Sequence, residues 1–277
     1  DVSVRVTSSR GANLRFAENA PTTSGQADRV EVSVTATREQ ASATVTGTAQ
    51  DAAGVAALVA RAEALAALAP RDPEHMPPLG VQRYAKVAGE DPATVKLGPD
   101  ARTDAVARVL KVARAGKLVA SGLYEHVHRS VALGTSAGLL AFHAETEASL
   151  TTTMRTPDGS ASGWAGAMSR AAGDIDAASV AQRAADKAEM SRGGGPALAP
   201  GPYTVVLEAQ AVADLLGFLV GQLGARAADE GRSYFSRPGG NASCSSSHAL
   251  FAPPSRAAPP NRASTSARAC RSAAAPM

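Results

Sequence analysis

Val2, Val4 and Val6 alternate with Ser3, Arg5 and Thr7, and the same period of two returns at Val30, Val32 and Val34 and at Ala41, Ala43 and Val45. Side chains along a strand point to opposite faces in turn, so each run specifies a strand with one buried and one wet face. Strands of this one-sided kind belong to antiparallel sheets. A shorter strand is expected near 14–16, and residues 38–40 leave room only for a hairpin turn. A second set of strands is expected across 118–154. Its clearest member sets Leu140, Phe142, Ala144, Ala148 and Leu150 on one face and His143, Glu145, Glu147 and Ser149 on the other.

Helical spacing fills the intervals. Asp51 is placed to cap a helix whose apolar positions Val55, Leu58, Val59, Ala62, Leu65 and Leu68 recur at steps of three and four until Pro70 and Pro73 stop it. Prolines at 70, 73, 77, 78, 92 and 99 make 70–100 an irregular connection. A second helix is expected over 100–115, burying Val106, Val109, Leu110 and Ala113, with Gly116 at a positive φ as its C-terminal stop. Glycine and serine between 158 and 166 predict a flexible, candidate functional loop around Trp164. Asp174 or Asp176 then caps a third helix ending near Met190, before a Gly193-Gly194-Gly195-Pro196 linker. Beyond it, 203–207 reads as a buried strand. A helix follows with Val212, Leu215, Leu216, Leu219, Val220 and Leu223 on one stripe, and with Gly217, Gly221 and Gly224 placed for close backbone packing. The expected fold class is α+β, with antiparallel sheets each covered by helices, divided into an N-terminal domain (1–98), a middle domain (99–196) and a further segment (197–240).

Composition narrows the function classes. Residues 241–277 hold four Arg and no acidic residue, whereas 1–240 carry 24 basic against 25 acidic groups, so the body is near neutral. With 4% aromatic residues and no sustained basic run there, the footprint of a nucleic-acid binder is missing. No apolar stretch reaches the roughly 18 residues of a membrane span. Both cysteines, Cys244 and Cys270, fall in the last 37 residues, and a body without cysteine fits a reducing compartment. Those last residues, dominated by Ala, Ser, Pro and Arg, are expected to be disordered and read as translated out of frame. Starting at Asp1 inside an alternating run, the chain reads as a fragment.

Three constellations invite chemical readings. Gly134-Thr135-Ser136-Ala137-Gly138 matches the G-x-S-x-G nucleophile elbow, but the alternating residues after it predict a strand where an elbow needs a helix, so a hairpin turn is favoured. His126 and His128, two apart, share a strand face. With His143 and Glu145 opposite on a neighbouring strand they would form an imidazole and carboxylate metal site, against the plainer reading of a solvated sheet face. Glu145 and Glu147 suggest an acid and base pair by the same logic, yet charges alternating along a strand usually face water, and no role is assigned to them. His75 reads as an exposed loop residue, and His248 lies in the aberrant tail. Composition and spacing alone identify no catalytic apparatus.

Five segments occur in order: Leu14-Arg15-Phe16-Ala17-Glu18-Asn19, Ala69-Pro70-Arg71-Asp72-Pro73-Glu74, Thr135-Ser136-Ala137-Gly138-Leu139, Gly173-Asp174-Ile175-Asp176 and Pro200-Gly201-Pro202-Tyr203-Thr204-Val205-Val206-Leu207. Their order and intervals resemble the TldD/PmbA family, often labelled modulators of DNA gyrase, over about residues 1–240. The resemblance implies an N-terminal α+β domain, a middle portion and a β-rich C-terminal domain. In this chain 197–240 would be the start of that last domain, the disordered tail would stand in place of the rest, and the helix that normally precedes the first strand would be missing. It further implies a cytoplasmic bacterial or archaeal protease acting on unfolded or leader-bearing peptides, built from two kinds of subunit. The TldD-like subunit carries H-E-x-x-x-H and zinc, and the TldE or PmbA subunit lacks the ligands. The helix of 211–228 corresponds to the metal helix, and the two histidine positions fall near Leu216 and Gly221, which cannot ligate. By that comparison the chain resembles the non-metal subunit: no catalytic residue and no cofactor of its own, zinc in a TldD-like partner, peptide as substrate, and neither nucleic acid nor membrane as a direct partner. The alternatives are a metal-independent peptide- or protein-binding module and a truncated product without function.

Overall fold

The computed structural model describes residues 1–195 and 197–236, so the tail, with Cys244, His248 and Cys270, lies outside the described residues. The chain divides into two compact units, one spanning 1–200 and the other opening at Gly201. The first is α+β, with six antiparallel strands in one sheet: β1 (Val2–Ala17), β2 (Ala20–Arg38), β3 (Ala41–Gly47), β4 (Val119–Thr135), β5 (Leu140–Arg155) and β6 (Ser162–Ser169), in the order β3-β2-β1-β4-β5-β6.

The two sets of strands expected to form separate sheets are therefore joined. β1 pairs along its length with β2 on one side and β4 on the other, Val4 opposite Gly134 and Phe16 opposite Gly122, so the sheet runs across the boundary drawn at residue 98. The strands expected at 2–6 and 14–16 are one. The Ser8-Ser9-Arg10-Gly11 stretch between them has no apolar alternation, but pairing on both flanks satisfies its backbone groups, and that suffices to keep it extended. Two-residue turns link β1 to β2 and β2 to β3, with positive φ at Glu18 and Asn19 and at Glu39 and Gln40, the second falling where a hairpin was expected. Asn19 stitches the first turn to β4: its Nδ2 donates to Leu118 O and its Oδ1 accepts from Ala120 N, both at 2.8 Å.

Every helix of this unit that packs on the sheet covers the same face. α1 (Ala52–Ala66), capped by Asp51 through Gly54 N at 2.7 Å, lies on β2 and β3 and buries Ala62 and Ala66 against Val32, Val34, Ala36 and Val45. α2 (Pro92–Val95) is a single turn in the connection. α3 (Pro99–Ala115) and α4 (Ala177–Met190) close a second cluster around Phe16, Tyr124, Leu150 and Met154. Asp176 is the cap of α4, whereas Asp174 sits in the preceding 3-10 turn and accepts from Ser169 Oγ at 2.8 Å. Gly116 departs from expectation with φ −80°; the left-handed residue that ends α3 is Lys117, φ 50°.

Trp164 also departs from expectation, standing on β6 and not in a loop. Its neighbouring glycines serve packing: a Cβ on Gly163 would meet Ala184 O of α4 at 2.2 Å, and one on Gly166 would meet the Trp164 ring at 2.9 Å. Only 156–161 turns, closed by Thr156 N donating to Ala161 O at 3.0 Å.

In the second unit, α5 (Ala209–Val220) and α6 (Ala225–Asp229) are the regular elements among the described residues. The strand expected at 203–207 does not form, and Val206 is 98% exposed, because no partner strand stands beside it among the described residues. No α5 residue is buried. The glycines make no close approach either: a Cβ on Gly217 meets nothing within 4 Å, and one on Gly221 meets only carbonyls of its own helix, at 3.5 and 3.8 Å. No helix among the described residues is long and apolar enough to cross a membrane.

Candidate functional site

Register sorts the candidate residues by face. His126 stands opposite Ala148 and His128 opposite Thr146, on the side covered by helices. His143 pairs with Val131, Glu145 with Arg129 and Glu147 with Val127, one residue out of phase and therefore on the open side. The metal site that would join these histidines is not assembled. Glu145 Oε1 instead accepts from Arg129 at 3.1 Å, with His143 Nε2 at 3.7 Å from its other oxygen. Among the described residues no three His, Cys, Asp or Glu side chains cluster closely enough to hold a metal.

The Gly134–Gly138 motif is the β4–β5 hairpin, with Gly138 at φ +88° and Thr135 N donating to Leu139 O. Ser136 is occupied structurally. Its Oγ accepts from Val2 N at 3.0 Å and its own N donates to Val2 O at 2.8 Å, tying the start of β1 to the turn. No helix follows to support an oxyanion hole. His75 is half-buried in the 72–75 turn, its N donating to Asp72 O at 3.1 Å.

Between the two apolar clusters the helix-covered face carries a polar seam, with Ser8, Arg10, Asp28, His128 and Ser130 side by side across β2, β1 and β4. Arg10 pairs with Asp28 at 3.0 Å, and His128 Nε2 meets Glu90 Oε1 at 2.7 Å. A cavity of about 170 Å³ opens beside it, lined among others by Arg10, Lys96, Pro99, Arg102, His126 and His128. Its wall is held firmly. Thr94 of α2 donates to Asp91 at 2.6 Å and accepts from Ala172 N at 2.7 Å, and Asp91 N donates to Thr146 Oγ on β5 at 2.8 Å. Those bonds anchor the chain that leads into α3, whose first turn carries Arg102.

Arg102 is 4% exposed and His126 9%, and Arg102 Nε and His126 Nδ1 are buried without a hydrogen-bond partner. Burial holds the His126 imidazole below its ordinary range, and the nearby Arg102 charge adds to that. Burial pushes the Tyr124 hydroxyl up, against the pull of the same guanidinium. Sequence reasoning missed Arg102, although an arginine in the first turn of an amphipathic helix, against the helix dipole, is a readable anomaly.

The open face has a shallow trough of about 410 Å³ over Gly11 and Gly25, bordered by Asn13, Glu125, Arg129 and Glu147. The sheet's two edges differ. Along β6, Lys187 Nζ donates to Trp164 O at 2.9 Å, Arg183 to Gly166 O at 3.1 Å and Ser191 Oγ to Ser162 O at 3.1 Å, so α4 side chains occupy the edge carbonyls. Along β3 only Ala41 is bridged, to Arg71, and 42–47 have no outer strand among the described residues.

α5 offers Gln210 and Asp214, which bond to each other at 2.8 Å, and neither His nor Cys. Zinc sites draw three or four ligands from imidazole, thiolate or carboxylate groups, and Asp214 is the one such group in α5.

Residues 92–192 match the family model of the PmbA/TldA metallopeptidase central domain. The fold is similar to TldE from Thermococcus kodakarensis, at 15% identity and TM-score 0.63 over 68% of this chain and 44% of that one. It is also similar to a candidate modulator of DNA gyrase from Bacteroides thetaiotaomicron, at 15% and 0.68 over 82% and 54%. A further candidate gyrase modulator, from Thermotoga maritima, aligns at 14% and 0.60 over 68% and 44%. The chain spans about half the length of these structures, and at such identities the likeness is one of fold. No curated protein matches the chain.

Proposed function

Taking residues 92–192 as a PmbA/TldD-family central domain, we propose that the chain is a TldE/PmbA-like subunit that partners a TldD-like metallopeptidase. In this reading it supplies scaffold and peptide-holding surface, and the zinc chemistry belongs to the partner. The observation that carries the peptide role is the open edge of β3, in a sheet whose other edge α4 closes. An extended peptide added there would bond through its main chain, which makes few demands on sequence and suits unfolded or leader segments. The pairing with a TldD-like subunit is supported by the family match and by the likeness to TldE, and an α5 without His or Cys favours a non-metal role. A peptide-binding module with no proteolytic partner is the second reading, since the same edge would serve it.

Co-expression with a TldD-like protein from the same genome should give a stable complex that degrades an unstructured peptide. Hydrogen exchange at 42–47 should slow when peptide is added. Failure to form the complex, with protection at 42–47 retained, would leave the binding module. EDTA-sensitive cleavage by this chain alone would overturn both readings.

A further inference from the structure

We propose that the cavity between the first turn of α3 and strands β1 and β4 is a binding site for a small oxyanion, a carboxylate or phosphate group, held by Arg102 and His126. Arg102 is 96% buried, and its Nε is buried without a hydrogen-bond partner. A guanidinium does not shed its proton to escape such a setting, so its charge stays buried and needs an anion. The surroundings sharpen that need. Gly98 caps α3 without any side-chain acceptor, leaving first-turn N–H groups unbonded, with Asp100 in the same turn offsetting part of their positive charge. Arg10, Lys96 and His128 also line the cavity, and no carboxylate does. Asp28 and Glu90 stand nearby, but they are engaged with Arg10 and His128.

Size restricts the ligand. A volume of about 170 Å³ admits a single carboxylate or phosphate group with a few waters, and excludes a whole nucleotide. His126 contributes a ring N–H from an imidazole that burial keeps neutral, so the charge is supplied by Arg102 and the helix end. The site lies on the helix-covered side of the sheet, away from β3, and requires no partner subunit.

The test is calorimetric titration of the full chain with sodium phosphate and with sodium acetate, at ionic strength held constant with chloride, alongside thermal melts. Saturable binding with a rise in melting temperature is expected for the wild type. Arg102→Gln should weaken it at least tenfold, while melting no lower than the wild type in the absence of anion, because a buried charge has been removed. A far-ultraviolet circular dichroism spectrum of R102Q matching the wild type guards against a folding artefact. A short peptide with a free C-terminus, compared with its amide, separates the sources. Binding of the acid form alone assigns the site to a peptide carboxylate, and binding of phosphate or acetate assigns it to a free ion. If no probe binds, or if binding is indifferent to R102Q, the proposal fails. A large loss of anion-free stability in R102Q would overturn it too, by showing that the guanidinium is satisfied without a ligand.

Discussion

Val34→Ala tests whether the first unit is one cooperative body. Val34 is fully buried on β2 beneath α1, in the cluster that contains no residue of α3 or α4. The only tryptophan, Trp164, is on β6, four strand spacings away in the sheet, or about 19 Å at the usual inter-strand distance. Removing two methyl groups forfeits about 1.6 kcal/mol of transfer energy, and a partly relaxed cavity raises the loss to about 2–3 kcal/mol. With a urea slope near 2–3 kcal/mol/M for a unit of this size, the midpoint should fall by about 1 M. β1 is paired on both flanks and contributes Val4 and Val6 to one cluster and Leu14 and Phe16 to the other, so neither cluster can open without unpairing the strand they share. Trp164 fluorescence should therefore report the whole shift, coincident with far-ultraviolet circular dichroism. The reasoning is refuted if Trp164 keeps the wild-type midpoint while the dichroism splits into two transitions, which would mark two bodies meeting near residue 98.

Three further substitutions are read by thermal melts. Asp158 is held down to about 2 chiefly by the Thr156 hydroxyl, with Ser160 N–H and hydroxyl adding to it. A depressed carboxylate stabilises the fold above its unfolded value and loses that contribution as pH falls through the folded one, so the window is about pH 4 to 2. Asp158→Asn should flatten the decline in melting temperature across that window and converge on the wild type at its lower end; an unchanged slope would show that the turn draws nothing from the charge. Gly163→Ala, whose Cβ would lie 2.2 Å from Ala184 O, should cost about 3 kcal/mol or more and shift Trp164 emission. Gly11→Ala, with its nearest contact at 3.5 Å, should stay within about 0.5 kcal/mol of the wild type. Equal melting temperatures for these two variants would contradict the α4–β6 spacing.

Much of the fold was legible because one face of the sheet is buried and the other wet. The alternation at 2–6 and 30–34 states that directly, whereas on β5 it holds only from Thr146 onward, Leu140 and Phe142 being 78% and 72% exposed, and Asp51 and Asp176 announce their helices as caps. Joining the two strand sets was not legible. β1 meets β4 more than a hundred residues on, and pairing across that distance leaves no local signature beyond alternation that fits either arrangement. Trp164 misled for a different reason: Gly163 and Gly166 resemble loop glycines, and only the approach of α4 and the folded-over indole explain them. The histidines required register. Whether His143 joins His128 depends on the β4–β5 pairing, and a shift of one residue reverses the answer. Arg102 left a signal, its place in the first turn of α3, but the burial of its unpartnered Nε beside a cavity appears only when the elements meet around it.

The chemistry of the two faces also decides where this sheet can take a partner. Its open side presents Ser3, Arg5 and Thr7 from β1 beside Glu31, Ser33 and Thr35 from β2 and Thr44 and Thr46 from β3, with Thr35 and Thr44 bonded across strands at 2.8 Å. Covering these polar groups of β1–β3 would exchange bonds with water for bonds with a partner and bury little apolar surface, so this part of the open face offers little drive for a permanent contact, whereas the β6 part adds exposed Trp164 and Met168. The β3 edge differs in kind. A strand laid along 42–47 gains main-chain bonds that nothing else in the described unit makes, and every second side chain falls toward the α1 side, where Leu65 is 43% exposed, while the others face solvent. At seven residues β3 is short enough to limit indiscriminate edge pairing. The edge therefore couples a backbone interaction indifferent to sequence with a weak alternating preference for apolar residues, which is the selectivity that the proposed peptide-holding role would need.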